Sequence, residues 1–382
     1  MKVGLIAPPW LPVPPVGYGG TESVIDHLAR GLQEADVDVV LYTVAESTCP
    51  VPKKWSSERA DARMGASVPE LRHVLSAYAD LRSCGVDVIH DHTNAGPLLA
   101  AQRGFTTTPV VTTNHGPFND ELVELYRPIA HRVGVIAISY SQARHAKGIP
   151  LAGVIHHGID PRDFEPARTP SDDYLLFLGR MAPEKGAHHA IRIARRTGRR
   201  LVIAAKMREP SERQYFEEFV RPELDRDIVF VGEVTGRQKL DLLANASALI
   251  NPIQWPEPFG MVMIEALACA TPVIALAYGA APEIVINGVN GYVVETPGAM
   301  VRALGRLDQI ERSRCRATVE DRFSYQRMAD DHLRIYEKAC GTRAVGRRAR
   351  ALHPATSSPS LAPLARAAGL LGDPPTVRLV SD

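Results

Sequence analysis

From residue 2 onward, short β-branched runs alternate with amphipathic helical stretches. KVGLIA leads through a Gly/Pro loop into ESVIDHLARGLQEA and VDVVLYTV, followed later by VDVIHDH, PVVTTNH, GVIAIS and AGVIHHG. Near-continuous apolar strands separated by helices predict a parallel sheet covered on both faces. The polar, proline-containing stretch RDFEPARTPSDD interrupts the alternation, which then restarts with YLLFLGR, RLVIAAK, DIVFVGEV, SALINPI, PVIALA and GYVVE. The fold class is therefore α/β, with two doubly wound domains, 1–167 and 168–322, divided near Arg168. Phe323, Met328, His332, Leu333 and Tyr336 recur at helical spacing and predict a closing helix over 323–340 that returns to the amino-terminal domain. The remainder, 341–382, is basic and rich in Ser, Pro and Ala, a composition that predicts a disordered tail.

Size agrees with two cores, since 382 residues exceed what one core ordinarily supports. With 44 basic against 43 acidic residues there is no electrostatic bias toward nucleic acid. Cys49, Cys84, Cys269, Cys315 and Cys340 are scattered without a C-x-x-C pair, so neither a disulfide framework nor a zinc site is expected, and a cytoplasmic setting fits. MKVGLIAPPW reads as the first buried strand, too short to span a membrane.

Two doubly wound domains in series leave a cleft between the carboxyl ends of their strands, where ligands of such sheets bind. Four segments place chemistry there. In PPVGYGGTE, Gly19 and Gly20 stand between the first strand and first helix, where backbone can approach an anionic ligand; a turn needing positive φ is the plainer explanation. Glu22 occupies the place of the third glycine of the dinucleotide fingerprint, which disfavours a nicotinamide enzyme. In GRMAPEKG, Arg180 and Lys185 share one loop before a helix, as a pyrophosphate would require. In EPFGMVMIE, Glu257 precedes a helix, and its dipole alone could explain that acid. It does not explain Glu265 among Met263, Ile264, Ala266 and Leu267. His115 ends the strand PVVTTNH. His90 and His92 could share a strand face around a metal but lack a third ligand, while the neighbours His156–His157 and His188–His189 are not expected to share a face. No metal is expected.

In the order GYGGTE, NHG, HGID, GRMAPEKG, VGEV and EPFGMVMIEALA, the chain resembles glycosyltransferase family 4, the retaining, nucleotide-sugar-dependent enzymes of GT-B fold. The resemblance covers about residues 1–340 and implies two Rossmann-like domains facing each other. EPFGMVMIE matches that family's E-x7-E motif. It implies that Glu257 accepts hydrogen bonds from donor-sugar hydroxyls, that amides after Pro258, Phe259, Gly260 and Met261 face the sugar and phosphate, and that Glu265 holds the ribose. Arg180 and Lys185 would hold the diphosphate without a metal. His115 would meet the donor sugar through its ring or its main-chain carbonyl, with Asn114 beside it. Val234 would line the base pocket and Lys239 would lie near base or ribose.

The implied reaction moves a hexose from a UDP- or GDP-sugar to an acceptor hydroxyl with retention, by front-face substitution and without a bound cofactor. A sugar-nucleotide epimerase of the same fold and a non-catalytic nucleotide-sugar binder are the alternatives. The acceptor, whether glycan, lipid-linked or small, is not encoded in recognisable residues. RAVGRRARA and LAPLARAAGLL in the tail leave room for weak peripheral contact with the inner membrane face, although prolines and glycines cut both segments.

Overall fold

A computed structural model describes residues 1–341 except Tyr18, Ala62 and Asp172. The expected basic tail, from 342 onward, lies outside the described residues.

The first seven strands are β1 (Lys2–Ile6), β2 (Asp38–Thr43), β3 (Lys53–Trp55), β4 (Val88–Asp91), β5 (Val110–Thr113), β6 (Val133–Ala137) and β7 (Leu151–Val154). They pair in the order β3-β2-β1-β4-β5-β6-β7. Strand β1 lies inside, with Val3 opposite both Val39 and Val88 in parallel register. A second sheet holds β8 (Tyr174–Arg180), β9 (Arg200–Lys206), β10 (Ile228–Gly232), β11 (Ala248–Asn251), β12 (Val273–Leu276) and β13 (Gly291–Val294). Its order is β10-β9-β8-β11-β12-β13. The run VVTT of β5 and the apolar run VIAL of β12 are buried at every position because helices cover both faces.

Two strand details depart from the sequence reading. Strand β3 was not anticipated: Lys53 and Lys54 give it no apolar signature, and none is needed at a sheet edge, where lysines discourage further pairing. AGVIHHG leaves the sheet after Val154 and crosses toward the second half. Gly158 permits that crossing, since a Cβ there would stand 2.4 Å from the Ser324 carbonyl oxygen.

The helix Tyr325–Ala339 returns to the first half and packs on the helix Gly20–Glu34. The contact is close because Gly31 has no side chain: a Cβ there would lie 2.8 Å from that of Ala329. Met328, Leu333 and Tyr336 join the core of the first half, and His332 is buried beside them. Phe323 does not: it precedes this helix and belongs to the core of the second half.

The carboxyl edges of the two sheets face each other. The Glu283 carboxylate, from the second half, accepts the amides of Tyr140 and Ser141 at 2.9 and 2.7 Å and meets His156 Nε2 at 2.7 Å, all in the first half. Beside it, the buried Phe259 ring packs edge-on against His157, 5.0 Å between centroids.

Candidate functional site

Strand β8 ends on Arg180, and a 3₁₀ turn, Pro183–Lys185, brings the chain to the helix Ala187–Thr197. Gly186 makes that turn at φ +79°, with the Pro252 carbonyl 2.5 Å from where a Cβ would be. Lys185 Nζ thereby lies 2.6 Å from Glu257 Oε1, a charge-assisted contact between segments 72 residues apart. The same ammonium lies 5.5 Å from the Trp255 ring centre. Arg180 is held by Glu184 at 2.6 Å, with Glu212 at 3.6 Å from its Nε.

Glu257 stands on the turn before the helix Met261–Ala268, which begins after Gly260 at φ +94°. The turn is fixed from behind. Ala280 N donates to the Glu257 carbonyl at 3.0 Å, and a Cβ on Gly279, at φ +57°, would come within 2.2 Å of that oxygen. Glu265, on the helix itself, pairs with Lys239 Nζ at 2.8 Å. The structure thus pairs Lys185 with Glu257 and Lys239 with Glu265, while Arg180 pairs with Glu184 on the loop that carries Lys185. Val234 is buried nearby. The Phe259 side chain is consumed by packing between the halves, and Met261 is half-buried against both cores.

In the first half, His115 follows β5 and is half-buried. Nε2 is 2.9 Å from His92 Nδ1, and Nδ1 is buried without a partner. Nε2 is thereby engaged within the protein, which leaves Nδ1 and the main-chain carbonyl as the groups with which His115 could meet a donor sugar. Gln142, which the sequence reading passed over, ties down the carbonyls on either side, its Nε2 donating to Asn114 O at 2.8 Å and to Gly116 O at 2.5 Å. Its own Oε1 accepts the Ile138 amide.

His115 belongs to a stack of rings. His157 lies on one side at 5.2 Å and His92 on the other at 5.2 Å, with His90 4.0 Å beyond His92 and His332 5.2 Å beyond His90. Burial keeps these imidazoles neutral. It lowers His115 to about 3 and His332 to about 4, and it holds His90, His92 and His157 well below the ordinary value, with neighbouring imidazoles adding to the effect. Both nitrogens of His90 are engaged, at 2.7 Å by the Tyr336 hydroxyl and at 2.9 Å by that of Thr113.

Gly19 caps the first helix in extended backbone, φ −179°, so positive φ is not its reason. A Cβ there would press to 2.8 Å on both Leu11 and Pro15, whereas Gly20 faces open space. The same loop reaches the second half, since a Cβ on Gly17 would stand 3.5 Å from Thr235. The neighbouring rings of His188 and His189 come within 3.9 Å, closer than helical spacing suggested, with His188 bonded to Tyr215. Asp225 accepts the amides of Asp227 and Ile228 in the turn before β10. Among the described residues, no group of three or more His, Cys, Asp or Glu side chains is arranged to hold a metal.

Comparisons with known proteins bear on the family and the fold. Residues 18–163 match the family described as Glycosyltransferase Family 4, and residues 160–324 match Glycosyl transferases group 1. A glycogen synthase of Mycobacterium tuberculosis is 33% identical over 353 residues, 73% of this chain and 79% of that protein. The D-inositol 3-phosphate glycosyltransferase of Mycobacterium marinum is 28% identical over 53% of this chain and 48% of its own, so the chain spans about half the length of this and several other relatives. The solved structure of a glycosyltransferase involved in avilamycin A biosynthesis superposes with a TM-score of 0.68 at 29% identity, covering 89% of this chain and 98% of that one. A sucrose-phosphate synthase from Thermosynechococcus elongatus gives 0.74 at 20% identity over 88% and 98%.

Proposed function

The chain belongs to the glycosyltransferases of family 4 type and GT-B fold, and on that premise we propose that it transfers a hexose from a nucleoside diphosphate to an acceptor hydroxyl with retention at the anomeric carbon. The observation that carries this reading is the 2.6 Å contact between Lys185 and Glu257. A cation suited to phosphate and an acid suited to a vicinal diol share one point of the cleft.

On donor binding, the diphosphate takes over Arg180 and Lys185, which now lean on Glu184 and Glu257. The freed Glu257 accepts sugar hydroxyls, and Glu265 with Lys239 takes the ribose. Each cation exchanges one carboxylate for phosphate oxygens, so charge is compensated before and after without a metal. The bond from the anomeric carbon to the leaving diphosphate then breaks while the acceptor oxygen bonds to the same face. The acceptor proton passes to the departing phosphate oxygen. Negative charge grows on the leaving group, so preorganised cations act where stabilisation counts most. We assign the His115 carbonyl to the positively charged sugar, because Gln142 occupies the carbonyls of Asn114 and Gly116 and leaves that of His115 between them. The neutral imidazoles around it do not repel an oxocarbenium-like ring.

Incubation with UDP-, GDP- and ADP-sugars, followed by mass spectrometry, tests the reading. Slow donor breakdown without acceptor and glycoside formation with one support transfer. Isomerised donor would assign an epimerase, and donor that binds unchanged under every acceptor a binding module. The anomeric configuration of the product, read by NMR coupling constants, tests retention.

A further inference from the structure

His92 follows β4, and its amide donates to the Ile6 carbonyl of β1 at 2.9 Å. The residue is 6% exposed, and its imidazole lies between two others, with the His90 ring centre at 4.0 Å and that of His115 at 5.2 Å. His90 is itself fixed at both nitrogens, by Tyr336 of the returning helix and by Thr113 of β5. His92 is therefore held from behind. Its Nδ1 meets His115 Nε2 at 2.9 Å, and its Nε2 is buried without a partner.

Two neutral rings that share one hydrogen bond have two forms. In the first, His92 Nδ1–H donates to His115 Nε2, which keeps the hydrogen of His115 on Nδ1. In the second, His115 Nε2–H donates to His92 Nδ1, which keeps the hydrogen of His92 on Nε2. Neither ring is doubly protonated at neutral pH, since burial lowers His115 to about 3 and His92 well below its ordinary value. The choice turns on which nitrogen a ligand can reach. His115 is half-buried at the carboxyl edge of the first sheet, whereas His92 is closed in by the stack, so its Nε2 stays alone in either form. The second form would seal an N–H there, and a buried N–H without an acceptor is the rarer kind of orphan in folded chains. The first form leaves a bare ring nitrogen in that place and gives the hydrogen to His115 Nδ1.

The preceding residue has the same polarity. Asn114 Oδ1 accepts the Gly116 amide at 3.1 Å, while Asn114 Nδ2 is buried without a partner. Two successive side chains thus hold hydrogens suited to an oxygen from outside the chain.

We propose that His92 is a positioning residue of the transfer reaction: as donor to His115 Nε2 it fixes the tautomer of His115, which offers Nδ1–H to an oxygen of the transferred sugar and cannot act as a base. The identity of the ligand rests on the proposed transfer; the tautomer is a property of the free protein. With both nitrogens of His115 committed, the acceptor proton is left to the departing phosphate.

Nitrogen NMR of the histidine side chains in the full chain tests the tautomer without a ligand. Both His115 and His92 should show a protonated Nδ1 and a bare Nε2, their signals assigned by loss in His115→Ala and His92→Phe. A protonated Nε2 on either ring overturns the proposal. Breakdown of UDP-, GDP- and ADP-glucose then measures the consequence. For a donor that reacts, His92→Phe, which keeps a ring and removes the donor nitrogen, should lower kcat/KM about tenfold, the upper worth of an ordinary hydrogen bond. Affinity for the matching nucleoside diphosphate should not change. His92→Asn, whose amide can donate from the place of Nδ1, should recover most of the loss. In a His115→Ala background, His92→Phe should have no further effect, since nothing is left to position. Wild-type kcat/KM in His92→Phe, or a full additional loss in that background, overturns the proposal. Melting curves show that each variant folds, and the wild-type nitrogen pattern decides the tautomer even where His92→Phe does not. The two readings fail separately: a wild type that breaks down none of the three donors counts against transfer and leaves the nitrogen pattern in force.

Discussion

The mouths of the two sheets are built from opposite electrostatic materials. In the second half, Arg180 pairs with Glu184, Lys185 with Glu257 and Lys239 with Glu265, at 2.6 to 2.8 Å. In the first half, His90, His92, His115 and His157 form a buried stack held in the neutral state. Ion pairs can be opened by a charged ligand at little cost, because each partner exchanges one counter-charge for another. Neutral rings cannot offer that exchange, but they give a rigid, uncharged wall. The contrast assigns ligand charge to one side of the cleft and shape to the other.

Removing a charge from the second side should have the largest effect. Lys185→Ala and Glu257→Ala are each expected to lower donor turnover roughly a hundredfold or more, as loss of a charge-stabilising group does elsewhere. Steady-state rates on the donor found by mass spectrometry check this, and wild-type rates in both would falsify the role assignments. Next comes the support of Glu257. Gly279→Ala forces a side chain into positive φ and onto the Glu257 carbonyl. It should cost about 1–3 kcal/mol of stability and weaken nucleoside-diphosphate affinity, seen by melting and titration together.

On the neutral side, Gln142→Glu replaces the donor shared by two carbonyls with an acceptor. Turnover should fall about tenfold while the donor KM stays near wild type, because buried carbonyls lose their bonds but the phosphate residues are untouched. Gln142→Met should behave similarly; a change in KM alone would count against the clamp.

The smallest expected effect is on stability against pH. An imidazole lowered in the folded protein binds a proton more readily unfolded, so its contribution is complete above the ordinary value of 6.5 and declines as pH falls below it toward the folded value. Each such ring costs on the order of 1 kcal/mol per pH unit over that window. Glu22, raised to about 7 by burial, and Asp91, raised to about 6, run the other way, losing stability as pH rises toward those values. The histidines outnumber them. Denaturant midpoints should therefore drop between pH 6.5 and 5, less steeply in His92→Phe, and a flat profile would show that the stack is open to water.

Strands such as β12 were legible in the sequence because a strand buried on both faces is apolar throughout, and β3 was not because an edge strand is free of that demand. Glu265 was legible for the complementary reason, as an acid in an otherwise apolar helix. The supports were hidden. Gly279 is explained only by the Glu257 carbonyl behind it, and Gln142 only by the two carbonyls it joins, contacts that tertiary folding creates. The contact of His115 with His92 was equally hidden, since it joins the segments that follow two different strands. Side-chain type singled out Lys185, Glu257, Lys239 and Glu265; which of them pair with which came from the fold.

Calorimetric titration of UDP, GDP and ADP into wild-type protein and the Lys185→Ala variant puts the charged side of the cleft to the test. At least one diphosphate should bind the wild type saturably and the variant at least about tenfold more weakly, the ordinary worth of a charged hydrogen bond. Failure of all three to bind, or equal affinity in both proteins, would contradict a donor site at the mouth of the second sheet.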